Sequence, residues 1–189
     1  MPHRRQRQFR PRLAGLLLAL VALTTGRASV AEPASADAVR AAYLYRFAGY
    51  IAWPDPGAAD TPFVIDVLDA PAMARELRRI LSQHVIHGHT TEVREISSLR
   101  ELGDAQILYV APGRAQVLRE LRPERRSGLL LVTAEEDGLS DGSVINFLIL
   151  DSNVRFEVSL AAAQRWGLKI SADLLGVAVR VQRGQGQLG

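Results

Sequence analysis

Three histidines close together, His84, His87 and His89, are the first side chains whose type and spacing invite chemistry. Imidazole is a common ligand for a divalent metal, and His87 and His89, flanking Gly88, are the pair a loop most readily brings together. The chain has no cysteine to join them, and the spacing is that of no recognised zinc motif. The plainer reading is an exposed, solvated loop. Arg155 and Glu157 are the next candidates. They alternate with Val154, Phe156 and Val158, which puts the two charges on the polar face of a strand, where a surface ion pair contributes only about 0 to 1 kcal/mol. Tyr43, Tyr45, Phe47, Tyr50 and Trp53 concentrate aromatic side chains in one helical stretch, and a single helical face cannot hold all five. Tyr45 points away from Tyr43 and Phe47 and so offers an aromatic contact to a partner. Glu135, Glu136 and Asp137 follow a strand and read as a solvated turn rather than an acid/base device. There is no cysteine nucleophile, no phosphate-cradling glycine motif and no Gly-x-Ser-x-Gly elbow. The chain reads as a non-enzyme, with no cofactor and no metal site called for.

The elements that must position these residues follow from periodicity. Val39, Tyr43, Phe47, Tyr50 and Ile51 share one face of a helix from Ala36 to about Trp53, stopped by Pro54. Phe63 to Leu68 is a strand. A helix starts at Pro71, with Met73, Leu77, Ile80 and Leu81 inward and Arg75, Arg78 and Arg79 toward water. Strands are expected at Glu92 to Ile96, Gln106 to Val110 and Gly128 to Thr133, with a short helix at Arg114 to Leu121. Ser143 to Leu150 suits a strand buried on both faces, interrupted by Asn146, which must hydrogen-bond a partner. Asp151, Ser152 and Asn153 form the turn of a hairpin; a two-residue turn is expected to set Asn146 opposite Ser159 and a three-residue turn opposite Val158. Ser159 caps a helix from Leu160 to Trp166 that Gly167 ends, and Ser171 caps a last helix through about Val181. This pattern predicts a single-domain α/β fold: a mixed, mostly parallel sheet flanked by helices, with a C-terminal antiparallel hairpin at its edge.

The first residues carry a different message. Met1 to Arg12 hold five arginines, Leu13 to Leu23 are an unbroken apolar run, and Ser29-Val30-Ala31 supplies small residues for a peptidase. Residues 1–31 read as a secretory signal peptide cleaved after Ala31, its apolar run being too short for a permanent span. The whole chain carries a net charge of +3; removing residues 1–31 takes away six arginines and no acid, leaving 17 basic against 20 acidic residues, a net of −3. The basic character belongs to the export signal, so nucleic-acid binding is excluded. Residues 32–189 can bury a real core, and without cysteine their stability must come from packing alone.

Three stretches resemble a known family: AAYLYRFAGYIAWP at 41–54, AQILYVAP at 105–112, and INFLILDSNVRFEVSLAAAQRWGLKISADLL at 145–175. The chain is similar to the YfiR/HmsC-like exported bacterial proteins over nearly its whole mature length. The resemblance implies a periplasmic, non-enzymatic regulator that binds the periplasmic sensor region of an inner-membrane diguanylate cyclase. An OmpA-like outer-membrane lipoprotein would draw it away, raising cyclic di-GMP and favouring biofilm. With no kinase or transmembrane portion after the domain, partner binding is expected in trans, and homodimers are the commonest assembly of such domains. The resemblance also raises Arg155 and Glu157 as partner or ligand contacts. Well-known members carry disulfides; here Ala105 stands where relatives often have Cys, so redox control is not expected. A second function class, periplasmic small-ligand binding, follows from the crevice that an open α/β sheet offers at its strand ends.

Overall fold

Helix α1 (Ala36–Gly49) begins where Ser35 Oγ accepts the amide N–H of Ala38 at 3.1 Å, with Asp37 in the first turn and Arg46 in the last. In this computed structural model residues 35–55, 57, 58, 60–123 and 126–184 are described; the expected signal peptide and its cleavage site at Ala31 lie outside the described residues. The helix stops at Gly49 rather than near Trp53. Tyr50 leaves the helical conformation, and Ile51–Ala52 become strand β1, paired antiparallel with β8 (Lys169–Ile170). The buried side chains are Ala41, Leu44, Phe47 and Ala48, so the inward face is rotated from the expected one and Tyr50 is exposed.

The remaining strands form one seven-stranded sheet. They are β2 (Phe63–Leu68), β3 (Thr91–Ile96), β4 (Ile107–Val110), β5 (Leu130–Thr133), β6 (Ile145–Leu150), β7 (Asn153–Ser159) and β9 (Arg180–Gln182), in the order β3-β2-β4-β5-β6-β7-β9. Every neighbouring pair is parallel except the β6–β7 hairpin. Helix α2 (Pro71–Leu81) follows β2, buries Met73, Ala74, Leu77 and Leu81, and packs beside α1. Short 3-10 turns at Leu99–Glu101 and Ala115–Glu120 make two of the other connections. The class read from the sequence is the one found: α/β, mixed and mostly parallel.

The C-terminal part departs from expectation in three ways. Ser159 and Ser171 do cap α3 (Leu160–Arg165) and α4 (Ala172–Val177), accepting from Ala162 N and Leu174 N at 3.2 Å each. However, α4 ends at Val177, and β9 then runs parallel to β7, so β9 and not the hairpin is the edge of the sheet. Gly176 weakens the helix, while Val177, Val179 and Val181 alternate as a strand would. The hairpin turn is Asp151-Ser152 alone, both residues at positive φ (49° and 60°), and Asn153 already pairs with Leu150. Asn146 therefore faces Glu157, not Ser159 or Val158. The outer half of β6 is also not buried on both faces: β5 pairs with it only at Ile145 and Asn146, which leaves Ile149 and Leu150 exposed.

Helix α1 lies against the hairpin through an aromatic cluster. The Phe47 ring centroid is 4.8 Å from Phe156 and 5.6 Å from Phe147, and Tyr43 is 5.6 Å from Phe156. Each such pair adds about 0.5 to 1.5 kcal/mol beyond its buried area. Because strand side chains alternate, the same register that presents Phe147 and Phe156 to α1 sends Asn146 and Glu157 to the other face.

Candidate functional site

On that other face Asn146 is the hub of a closed polar network. Its Oδ1 accepts from Thr133 Oγ1 (2.8 Å) and from the N–H of Glu135 (3.1 Å); its Nδ2 donates to the Glu135 carbonyl (2.7 Å) and to Glu157 Oε1 (2.9 Å). Glu157 Oε2 accepts from Arg180 Nε at 2.6 Å. All four hydrogen-bonding positions of the amide are used. Gly138 lies against this hub, where an added Cβ would collide with Thr133 Oγ1 and Asn146 Oδ1. Glu157 was expected on a solvated face beside Arg155, and this is corrected: Glu157 is fully buried, Arg155 is exposed, and the partner of Glu157 is Arg180. The two residues do share a face, but Glu157 lies deep in the sheet opposite Asn146 and beside β9, while Arg155 lies near the hairpin tip.

A second buried carboxylate was not singled out from the sequence. Asp66 on β2 is held bidentately by Arg94 on β3, at 2.7 and 3.1 Å, and that hydrogen bond raises the guanidinium pKa of Arg94. Arg126 donates to the carbonyls of Gly103 and Ala105, and burial pushes its pKa down. Ala105, at the position where relatives often have Cys, is itself buried. Glu135 is likewise no free loop residue: its carboxylate accepts from Gly113 N (3.1 Å) and Ala115 N (2.8 Å) and ties two connections together.

The aromatic and histidine candidates meet at the end of α1. Tyr45 is half-buried rather than fully exposed, because its ring packs 4.8 Å from that of His84. His84 Nδ1 lies 2.6 Å from the Ile80 carbonyl and His87 Nε2 lies 2.7 Å from the Ala48 carbonyl, so each imidazole covers the last turn of a helix. His89 is buried, with Nδ1 2.8 Å from the Thr61 carbonyl. The loop is therefore tied down and not simply solvated. His87 and His89 turn to different carbonyls, and among the described residues no three His, Cys, Asp or Glu side chains gather as for a metal ion.

A groove of about 220 Å³ opens here, lined by Tyr45, Arg46, Gly49, Val85, Ile86 and His87. Arg155 lines a different cleft of about 300 Å³, with Val39, Tyr43, Ile149 and Val154, beside the first half of α1. The structure thus joins Tyr45 to His87, leaves Arg155 apart from both, and seals Glu157 away.

The sequence matches the YfiR/HmsC-like family over residues 37–179. The chain belongs to this family. No curated protein matches it. Membership in the YfiR/HmsC-like family suggests a periplasmic regulator of diguanylate cyclases rather than an enzyme. The match takes in Tyr45, the histidine loop, Asn146 and Glu157, and ends one residue before Arg180. Arg180, Gly49 and Val85 were missed as site residues. The valine alternation at 177, 179 and 181 was the signal for the first.

Proposed function

We propose that this YfiR/HmsC-like protein is exported by residues 1–31, and that residues 32–189 act in the periplasm by binding the sensor region of an inner-membrane diguanylate cyclase and holding it inactive. The family match over residues 37–179 carries this reading. Two features agree with it: no helix among the described residues is long and apolar enough to cross a membrane, and the buried carboxylates Asp66 and Glu157 are engaged in structural networks. The control is a shift of populations. The regulator restrains the cyclase only by its preference for the inactive form, and moving the cyclase from nearly all active to nearly all inactive takes a preference of about 10⁴-fold, or about 5.5 kcal/mol. An OmpA-like outer-membrane lipoprotein that competes for the regulator would relieve the restraint. Deleting the gene in its native host and measuring cyclic di-GMP tests this. The level should rise, biofilm should increase, and both should return with a plasmid copy; an unchanged level refutes the reading. Capture of the tagged mature protein from membranes identifies the cyclase.

A further inference from the structure

Two stretches of the chain meet where α1 and α2 end, and both lack acidic residues: no Asp or Glu stands between Asp37 and Asp55, or between Glu76 and Glu92. The cations in them are Arg40, Arg46, Arg78 and Arg79. Arg40 pairs with Asp37, Arg78 with Glu95 and Arg79 with Glu76, while among the described residues no carboxylate pairs with Arg46. Arg46 lines the groove with Tyr45 and Gly49 on one side and Val85, Ile86 and His87 on the other. Val85 is 59% exposed. The space over Gly49 is open, since a Cβ built there meets nothing within 4 Å, so a larger side chain at this position would project into the groove. Bare carbonyls at a helix end would repel an anion, but those of Ala48 and Ile80 are covered by His87 and His84.

We propose that this groove docks a segment of the cyclase's periplasmic region that carries an apolar side chain beside a carboxylate. The apolar side chain seats between Tyr45 and Val85 over Gly49, and the carboxylate meets Arg46. The unpaired positive charge of Arg46 selects an acidic segment, and the concave shape selects a protruding side chain over a flat lipid surface. The inference rests on the proposed regulatory function for the identity of the partner.

The chain has no cysteine, so single-cysteine variants can be labelled cleanly. Mature V85C and, as a control at the far cleft, I149C are labelled with a benzophenone maleimide and irradiated on membranes containing the cyclase. The cyclase should crosslink to position 85 and not to 149. Adding Gly49→Leu, which fills the groove, or Arg46→Glu should lower the crosslink roughly tenfold or more, the loss expected for one central contact. Gly49→Leu must do this while the melting temperature stays equal or rises, because leucine is the better helix former, and this separates blocked docking from misfolding. Crosslinking at 149 undiminished by Gly49→Leu, crosslinking at 85 only to a second copy of the chain, or no crosslink in a host where gene deletion does raise cyclic di-GMP would each overturn the groove while leaving the regulatory reading intact. If deletion leaves cyclic di-GMP unchanged, the regulatory reading falls and the cyclase is removed as occupant.

Discussion

Replacing Asn146 by Ala should be among the most damaging single changes in this chain. The amide makes four hydrogen bonds, and its removal strands the Thr133 hydroxyl, the Glu135 backbone N–H and carbonyl, and one oxygen of the buried Glu157 carboxylate. Each buried group left without a partner costs about 1 to 3 kcal/mol, and partial relaxation or an entering water recovers some of it. A net loss of about 4 kcal/mol is expected, a large share of the 5 to 15 kcal/mol typical of a domain. Glu157→Gln is the contrasting variant. The glutamine oxygen can still accept from Asn146, while its NH2 group then faces the Arg180 guanidinium donor to donor, so the charge and the Arg180 hydrogen bond are both lost. Because the Arg180 side chain is 64% exposed, its attraction is heavily screened and the guanidinium can turn to water. Relief from burying a carboxylate offsets part of that, which places the change within about 1 kcal/mol of zero. Urea unfolding of the mature protein separates the two: with an m-value of about 2 kcal/mol per molar, Asn146→Ala should lower the midpoint by about 2 M and Glu157→Gln by about 0.5 M or less. Equal losses for the two variants, or a loss below about 1.5 kcal/mol for Asn146→Ala, would refute the hub role of the amide.

Two further outcomes follow from the same packing. Gly138→Ala should destabilise by about 1 to 3 kcal/mol in the same urea assay, because the new methyl group must push aside Thr133 and Asn146; a neutral result would mean that the hub is loosely packed. Burial pushes the Tyr109 hydroxyl up to about 12, so an absorbance titration at 295 nm should show a tyrosine step near that pH that Tyr109→Phe removes. Since the folded value is the higher, the unfolded chain ionises first as pH rises. The contribution is intact below pH about 10 and falls by up to about 3 kcal/mol toward pH 12, a loss that Tyr109→Phe should abolish.

The reach of the sequence is clearest in the hairpin. Val154, Phe156 and Val158 announce a strand with one apolar face, and the partner strand is an apolar run broken by Asn146; both form. A two-residue turn was expected to set Asn146 against Ser159, but the turn formed by Asp151 and Ser152 ends before Asn153, which pairs with Leu150. Once that residue is assigned to the strand, Asn146 meets Glu157 and a supposed surface charge becomes a buried one. Alternation reports which face a side chain is on, but not whether another strand covers it. Gly176 and the spaced valines after it signalled β9, yet apolar residues near a helix cap also satisfy a helical pattern over so few positions. The groove beside Tyr45 was half legible. The crowding of aromatics singled out the residue, whereas the opposite wall of the groove is a histidine loop from a distant part of the chain, which local pattern does not bring together.

The central claim is restraint of a diguanylate cyclase by direct binding, and the most direct measurement is enzymatic. Purified mature protein is titrated into the detergent-solubilised full-length cyclase, and conversion of GTP to cyclic di-GMP is followed. The account predicts a saturable fall in rate that heat-denatured protein does not produce. A rate unchanged at saturating regulator would contradict it.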